Sequence, residues 1–288
     1  MESLTTFRVG GPAEALIRPR STEELAAVLR ACTALEIEPF VLGGGANIVV
    51  SDRGIPGVVI HTGNLLGLRV EGEMLIAGAG EAVSDASRAA AEAELAGLDF
   101  IYAMPGSTGG AVWMNARCYD GEIAPILAEV HSVHVDHHRA GEVETYAAEE
   151  ADFGYKRSPF QDGRRIITEV RFRLHREPGS RARLLETMHD HEADRRAKGH
   201  FDAPCAGSIF KNNREFGEPS GKIIDRCGLR GYQIGGARIS DVHGNIIINT
   251  GSAAAADIHA LMTETRERVY RDTGFLLEPE VLFVGDWT

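Results

Sequence analysis

The stretch VLGGGANIVVSDRG, residues 41–54, sets three glycines in a row between two apolar runs, and the residues after the glycines narrow the folds open to this chain. A dinucleotide fold of the Rossmann type needs a strand, then GxGxxG, then a helix whose N-terminus faces the pyrophosphate. Here Gly43, Gly44 and Gly45 lead through Ala46 and Asn47 into Ile48-Val49-Val50, which is a β pattern. The loop therefore joins two strands, and no helix dipole is available to it. Any anion it held would be met by bare backbone N–H groups, which consecutive glycines can arrange into a nest. The competing reading is a glycine-rich hairpin with no ligand.

A second cluster weighs against that reading. In AMPGSTGGAVWMNARCYDG, residues 103–121, the run Pro105, Gly106, Ser107, Thr108, Gly109, Gly110 brings small residues that let backbone approach a ligand, with two hydroxyls as further donors. Two such loops in one domain point to a long ligand carrying a diphosphate.

Around these loops the pattern is mixed. Ser21 and Glu24 form a capping box ahead of apolar residues at helical spacing, predicting a helix from about Thr22 to Leu35. Short β-rich runs come next at 39–42, 48–50, 58–60 and 74–76, then an alanine-rich helix over 83–96 closed by Gly97. Alternation returns from Val130 to Leu174, and a boundary is placed at Pro178. Beyond it are a charged helix burying Leu184, Leu185 and Met188, a β-rich stretch at 246–248, and a capped helix over 252–271.

The 288 residues suit two domains, and a net charge of -12 without a basic stripe argues against nucleic acid. The start MESLTTFRVGG is unlike a signal peptide and no segment is apolar enough to span a bilayer, so a cytoplasmic protein with no membrane partner is expected. Cys32, Cys118, Cys205 and Cys227 form no CxxC pair and are expected as free thiols. The histidines of HSVHVDHHR, 131–139, do not converge: His131 and His134 take opposite faces of a strand, and His137 and His138 fall in a turn, so no metal site is expected.

The pairing of VLGGGANIVVSDRG with MPGSTGGAVWMNA, preceded by TTFRVGGPAE, resembles the flavin-binding domain of the UDP-N-acetylenolpyruvoylglucosamine reductase family, also called UDP-N-acetylmuramate dehydrogenases. The likeness continues in order through FGYKRSPF (153–160), CAGSIFKN (205–212), SGKIIDRCGLRGYQIGGARISDVHGNIIIN (220–249) and LEPEV (277–281). It implies an α+β chain. An FAD-binding domain of the vanillyl-alcohol-oxidase/PCMH type, residues 1–178 with two α+β subdomains at about 1–60 and 61–178, would precede an α+β substrate-binding domain at 179–288. There is no room for the extra tyrosine-bearing loop of longer relatives, so the chain resembles the shorter subtype. The implied activity is NADPH-driven, FAD-dependent reduction of UDP-N-acetylglucosamine enolpyruvate to UDP-N-acetylmuramate, with a UDP-linked amino sugar as partner and a monomeric enzyme.

The resemblance also assigns roles. Both glycine loops, with Asn115, would hold the flavin; Ser208 matches the proton donor; Glu280 matches the other active-site acid; and Tyr155, Asn212, Lys222, Arg195 and Lys198 would serve the nucleotide sugar or NADPH. Lys156 stands where the family has an active-site arginine. It keeps the charge and loses the bidentate fork, and Arg157, if on a strand, points to the opposite face. Arg117 and Cys118 replace a small pair. These departures leave two alternatives: a flavin oxidase on the same fold, or a binding paralogue that has lost catalysis.

Overall fold

The computed structural model describes residues 1–288. Six α-helices form: α1 (Thr22–Ala34), α2 (Val83–Glu92), α3 (Thr108–Trp113), α4 (Arg181–Ala197), α5 (Ser220–Arg226) and α6 (Ala255–Thr273). None of them is long and apolar enough to cross a membrane. The chain divides into two compact units, each discontinuous in sequence: Met1–Glu14, Gly45–Pro56 and Asp194–Thr288 make the first, and Ala15–Gly44 with Gly57–Ala193 make the second. The sequence boundary at Pro178 thus falls inside the second unit, which continues to Ala193.

The second unit is built on a five-stranded antiparallel sheet, ordered Val143–Ala147, Leu127–His134, Arg165–Arg173, Met74–Gly78 and Leu68–Glu71. Alternation along these strands sends Val130, Val170, Phe172 and Leu75 into a core shared with Val83, Ala86 and Ala90 of α2 and Val112 of α3. The helix α1 starts as the capping box predicts, with the Ser21 hydroxyl accepting from Glu24 N–H at 3.2 Å. It buries Leu25 and Leu29 against Ile60, Val133 and Ile166.

The first unit gathers the N-terminus, the segment after the glycine triplet and the C-terminal third around one core that includes Phe7, Val49, Phe210, Ile223, Ile258 and Leu261. Leu282–Val284 runs parallel to Ile48–Val50, and Ala237–Ile239 pairs with both Gln233–Ile234 and Ile247–Asn249. Long-range polar contacts close the unit. The Asn249 amide donates to Phe7 O at 3.0 Å, and the Asp52 carboxylate accepts the N–H groups of Ala255 and Ala256 at 2.8 and 2.9 Å. The SDRG stretch after the glycines is therefore a structural tie: Asp52 satisfies the first-turn donors of α6, and the Ser51 hydroxyl donates to Asp286 O.

Two helix ends differ from the sequence reading. The helix expected over 83–96 stops at Glu92, because Leu95–Ala96 pairs antiparallel with His175–Arg176 and Leu95 enters the core; the chain turns at Glu94, φ 58°, ahead of Gly97. The helix expected from Ser252 begins at Ala255, where Asp52 and Asp257 supply the acceptors for the first turn. Both ends were settled by partners far away in sequence. Replacing Asp52 by Ala is expected to cost about 1 kcal/mol of unfolding free energy, read by urea denaturation, with Asp52→Asn retaining part of it; an unchanged midpoint in Asp52→Ala would mean that the cap contributes nothing to stability.

Candidate functional site

In the second unit the two glycine clusters meet. The Ser107 hydroxyl accepts N–H groups from Gly44 and from Gly110, each at 3.2 Å, so one side chain caps α3 and holds the first loop. The approach is close enough that a Cβ on Gly44 would lie 2.7 Å from both Gly106 Cα and Ser107 N, and one on Gly43 would lie 2.8 Å from Ser107 Oγ. Only glycine tolerates that spacing without moving backbone.

Several donors expected for a ligand are spent on the protein. Thr108 N–H and hydroxyl both donate to Glu81 O, at 2.8 and 3.0 Å, and Gly109 N–H donates to Ala79 O at 2.9 Å. With Gly110 N–H on Ser107, these three residues lock α3 to the sheet. The N–H groups of Gly106 and Ser107 carry no such commitment. Asn115 is similarly engaged. It is buried, its amide donates to Glu122 and to Gly154 O at 2.7 and 2.9 Å, and its oxygen accepts Ala124 N–H at 3.0 Å, so it shapes the chain and has no donor left for a cofactor.

In the first unit, Gly45 (φ 60°) passes so near Leu4 that a Cβ would sit 1.9 Å from its carbonyl oxygen, and Gly45 O accepts Thr6 N–H at 3.1 Å. Asn47 donates its side-chain amide to Glu280 O at 3.0 Å, which holds the LEPEV strand. That strand lies beside the serine motif: Glu280 N–H donates to Ile209 O at 2.8 Å and Lys211 N–H to Glu278 O at 2.9 Å. Ser208 itself bridges to Ile246 on the other side, and both Ser208 and Glu280 are half-buried. The backbone of Glu280 thus stands opposite Ile209, the neighbour of Ser208.

FGYKRS is a turn, which overturns the strand argument used for Arg157. Gly154 and Arg157 exchange both backbone hydrogen bonds at 3.0 Å, leaving Tyr155 and Lys156 as corners, and Lys156 has φ 58°. Turn corners with positive φ ordinarily carry glycine or asparagine, so a lysine here is strained and is a pointer to function. Gln161 pins it by donating to Lys156 O at 3.0 Å, and the same glutamine holds Trp113 O at 2.9 Å. Tyr155 and Arg157 are exposed, and Lys156 is half-buried.

The remaining assigned residues separate. Arg195 is buried in the last turn of α4, whereas Lys198 is exposed and paired with Asp194 at 2.6 Å. Asn212 spends its oxygen on Ser220 N–H at 2.9 Å at the start of α5, where Lys222 is exposed. Near Arg195 lies a pair the sequence did not single out: His200 and His243, ring centroids 6.2 Å apart. Burial first, then the Arg195 charge, pushes His200 down to about 4, and burial also lowers His243.

The second unit fits a flavin dinucleotide on three observations: a glycine cradle that a single Cβ would fill, uncommitted N–H groups at Gly106 and Ser107, and a buried polar atom without a hydrogen-bond partner, His61 Nδ1.

Comparison with known proteins agrees. Residues 13–145 match the family described as FAD binding domain, and residues 199–284 match the C-terminal domain of UDP-N-acetylenolpyruvoylglucosamine reductase. The fold is an α+β flavin-binding fold with a C-terminal α+β domain. The chain is similar to the UDP-N-acetylenolpyruvoylglucosamine reductases of Treponema denticola, 40% identical over 100% of this chain and 92% of that one, and of Borreliella burgdorferi, 37% identical over 99% and 93%. The crystal structure of the UDP-N-acetylenolpyruvylglucosamine reductase of Thermus caldophilus superposes with a TM-score of 0.82 at 34% identity, covering 98% of this chain and 97% of that one. The chain belongs to the UDP-N-acetylenolpyruvoylglucosamine reductase family.

Two outcomes are expected from this geometry. In Lys156→Gly, relief of the left-handed strain, about 1–2 kcal/mol, exceeds the added unfolded-chain entropy, about 0.4–1 kcal/mol. The variant should be more stable by roughly 0.5–1 kcal/mol in urea; a loss of stability would show that the turn is not strained at Lys156. For His200, a folded value of about 4 against an ordinary 6.5 means that the unfolded chain binds the proton more readily. Its contribution is complete above pH 6.5 and is lost as pH falls towards 4. His200→Gln should lessen the fall of the thermal midpoint across that window, and identical curves would exclude the ring as its source.

Proposed function

We infer that this chain catalyses the FAD-dependent, NADPH-driven reduction of UDP-N-acetylglucosamine enolpyruvate to UDP-N-acetylmuramate in peptidoglycan precursor synthesis. The observation that carries the reading is the register of the first unit, where the backbone of Glu280 stands beside the strand that bears Ser208. Under this reading the flavin is held chiefly by residues before Pro178 and the sugar nucleotide by residues 179–288. The enzyme is read as a cytoplasmic monomer.

When bound, the flavin supplies the hydride that adds to one carbon of the enol ether double bond. Ser208 gives its hydroxyl proton to the other carbon. A serine hydroxyl is a weak acid, so this transfer needs a fixed orientation and neutralisation of the resulting alkoxide. Lys156 offers a positive charge to the substrate carboxylate as negative charge develops, acting as a point charge where an arginine would grip with two parallel bonds. Glu280 orients a polarising group or water near that carboxylate, because two bare carboxylates in contact would repel. Gly43, Gly44, Gly45, Ala46, Asn47, Pro105, Gly106, Ser107, Thr108, Gly109, Gly110 and Asn115 are the residues assigned to the flavin, and Tyr155, Asn212, Lys222 and Lys198 are the assigned nucleotide residues that are exposed.

The test is anaerobic. NADPH should bleach the yellow absorbance of the purified holoenzyme, and added UDP-N-acetylglucosamine enolpyruvate should restore it with formation of UDP-N-acetylmuramate. Bleaching without return would mean a different acceptor and would sink the substrate assignment. In Ser208→Ala, return of the colour should slow by roughly 10²- to 10⁴-fold while bleaching by NADPH is kept; full-speed return would remove Ser208 as proton donor.

A further inference from the structure

The Ser208 strand is held on one edge by an amide side chain that stands in for a peptide group. Asn245 is 2% exposed, its Oδ1 accepts Phe210 N–H at 3.0 Å, and its Nδ2 donates to Phe210 O at 2.8 Å. Its own backbone adds a further rung, because Ile209 N–H donates to Asn245 O at 3.0 Å. Side chain and main chain of one residue therefore fix the three peptide groups that follow Ser208. On the opposite edge, Glu280 N–H reaches Ile209 O at 2.8 Å, so the position of Ser208 relative to Glu280 is set by how firmly Asn245 holds the strand between them.

Asn245 is oriented in turn. Its N–H donates to His243 Nδ1 at 3.1 Å, which requires that nitrogen to be unprotonated. Burial lowers His243, with Lys198 and Arg230 acting in the same direction, which outweighs the opposing Asp225; His200, whose ring lies 6.2 Å away, is itself held uncharged at neutral pH. A neutral ring keeps the bond to Asn245 intact. Gly221 packs against the imidazole, and a Cβ there would lie 3.1 Å from the His243 ring, so α5 closes the pocket behind it.

We propose that Asn245, oriented by His243, is the positioning residue that aligns the Ser208 hydroxyl for proton delivery. Nothing in the amide itself meets the substrate; it acts through Phe210 and Ile209. The proposal rests on the reading of Ser208 as proton donor. An isosteric apolar residue at 245 leaves a buried N–H and C=O of Phe210 without partners, and the strand shifts to find others. Displacement on the order of 1 Å at a reacting group costs roughly 10²-fold in rate.

The experiment uses the holoenzyme carrying Asn245→Leu, with Asn245→Asp as the milder variant should the first not fold. Three things are read: bleaching by NADPH, return of colour with UDP-N-acetylglucosamine enolpyruvate, and amide hydrogen exchange in residues 207–212. Bleaching should keep its native rate, return should slow by roughly 10²-fold, and exchange at Ile209 and Phe210 should quicken. In the Ser208→Ala background the Asn245 change should add no further slowing, since a residue acting only through Ser208 has nothing left to position. Native-rate return in a folded Asn245 variant, or slowing that multiplies with that of Ser208→Ala, overturns the proposal while leaving the proton donor in place. Native-rate return in Ser208→Ala alone overturns the proton-donor reading and the proposal with it.

Discussion

One hydroxyl holds the two glycine loops together. Ser107 accepts N–H groups from Gly44 and Gly110, and that shared acceptor brings two loops more than sixty residues apart in sequence to a spacing that leaves no volume for a Cβ on Gly44. The glycines are required because backbone must touch backbone, and the serine is required because two inward-facing N–H groups would otherwise lack an acceptor. The short helix α3, the locking of Thr108 and Gly109 to Glu81 and Ala79, and the two uncommitted N–H groups at Gly106 and Ser107 all stem from that contact.

Side-chain amides act in a comparable way elsewhere. Asn47 holds Glu280 O, Asn115 ties the segment after α3 to Glu122 and to the FGYKRS turn, Asn245 holds Phe210, and Asn249 holds Phe7. Each one satisfies backbone where regular pairing runs out. An irregular segment buried beside a ligand site has polar groups that water cannot reach, and an amide, with a donor and an acceptor on one plane, imitates the missing strand. Motifs that read as functional in the sequence therefore prove in part to be architectural: Asn115 and Asp52 sit in stretches shared with flavoenzymes, yet both carboxamide and carboxylate are spent on the fold.

Much of the fold was legible. The Ser21 capping box gave α1 its start, period-two alternation gave the strands of the five-stranded sheet, and the β pattern after Gly45 excluded a Rossmann loop; each signal lies within a window of a few residues. Partners from distant sequence decided the rest. Leu95 left a good helical sequence because Arg176 offered it a strand, and α6 began at Ala255 because Asp52 supplied its cap. The turn at Lys156 was missed because a left-handed lysine carries no compositional signal, and the engagement of the Thr108, Gly109 and Asn115 donors within the protein was invisible because hydrogen-bond saturation is a property of neighbours.

The sequence by itself determined the chemistry: which side chains are present, in which order, and that two glycine-rich loops, a serine and an acid recur in the pattern of one enzyme family. Those are properties of the chain, and spacing preserves them. Tertiary structure alone decided which of these groups remain available. A donor that completes a backbone hydrogen bond cannot also hold a phosphate, and a hydroxyl can deliver a proton only from the place where its strand is fixed, so availability and alignment depend on contacts between residues as far apart as Asn47 and Glu280.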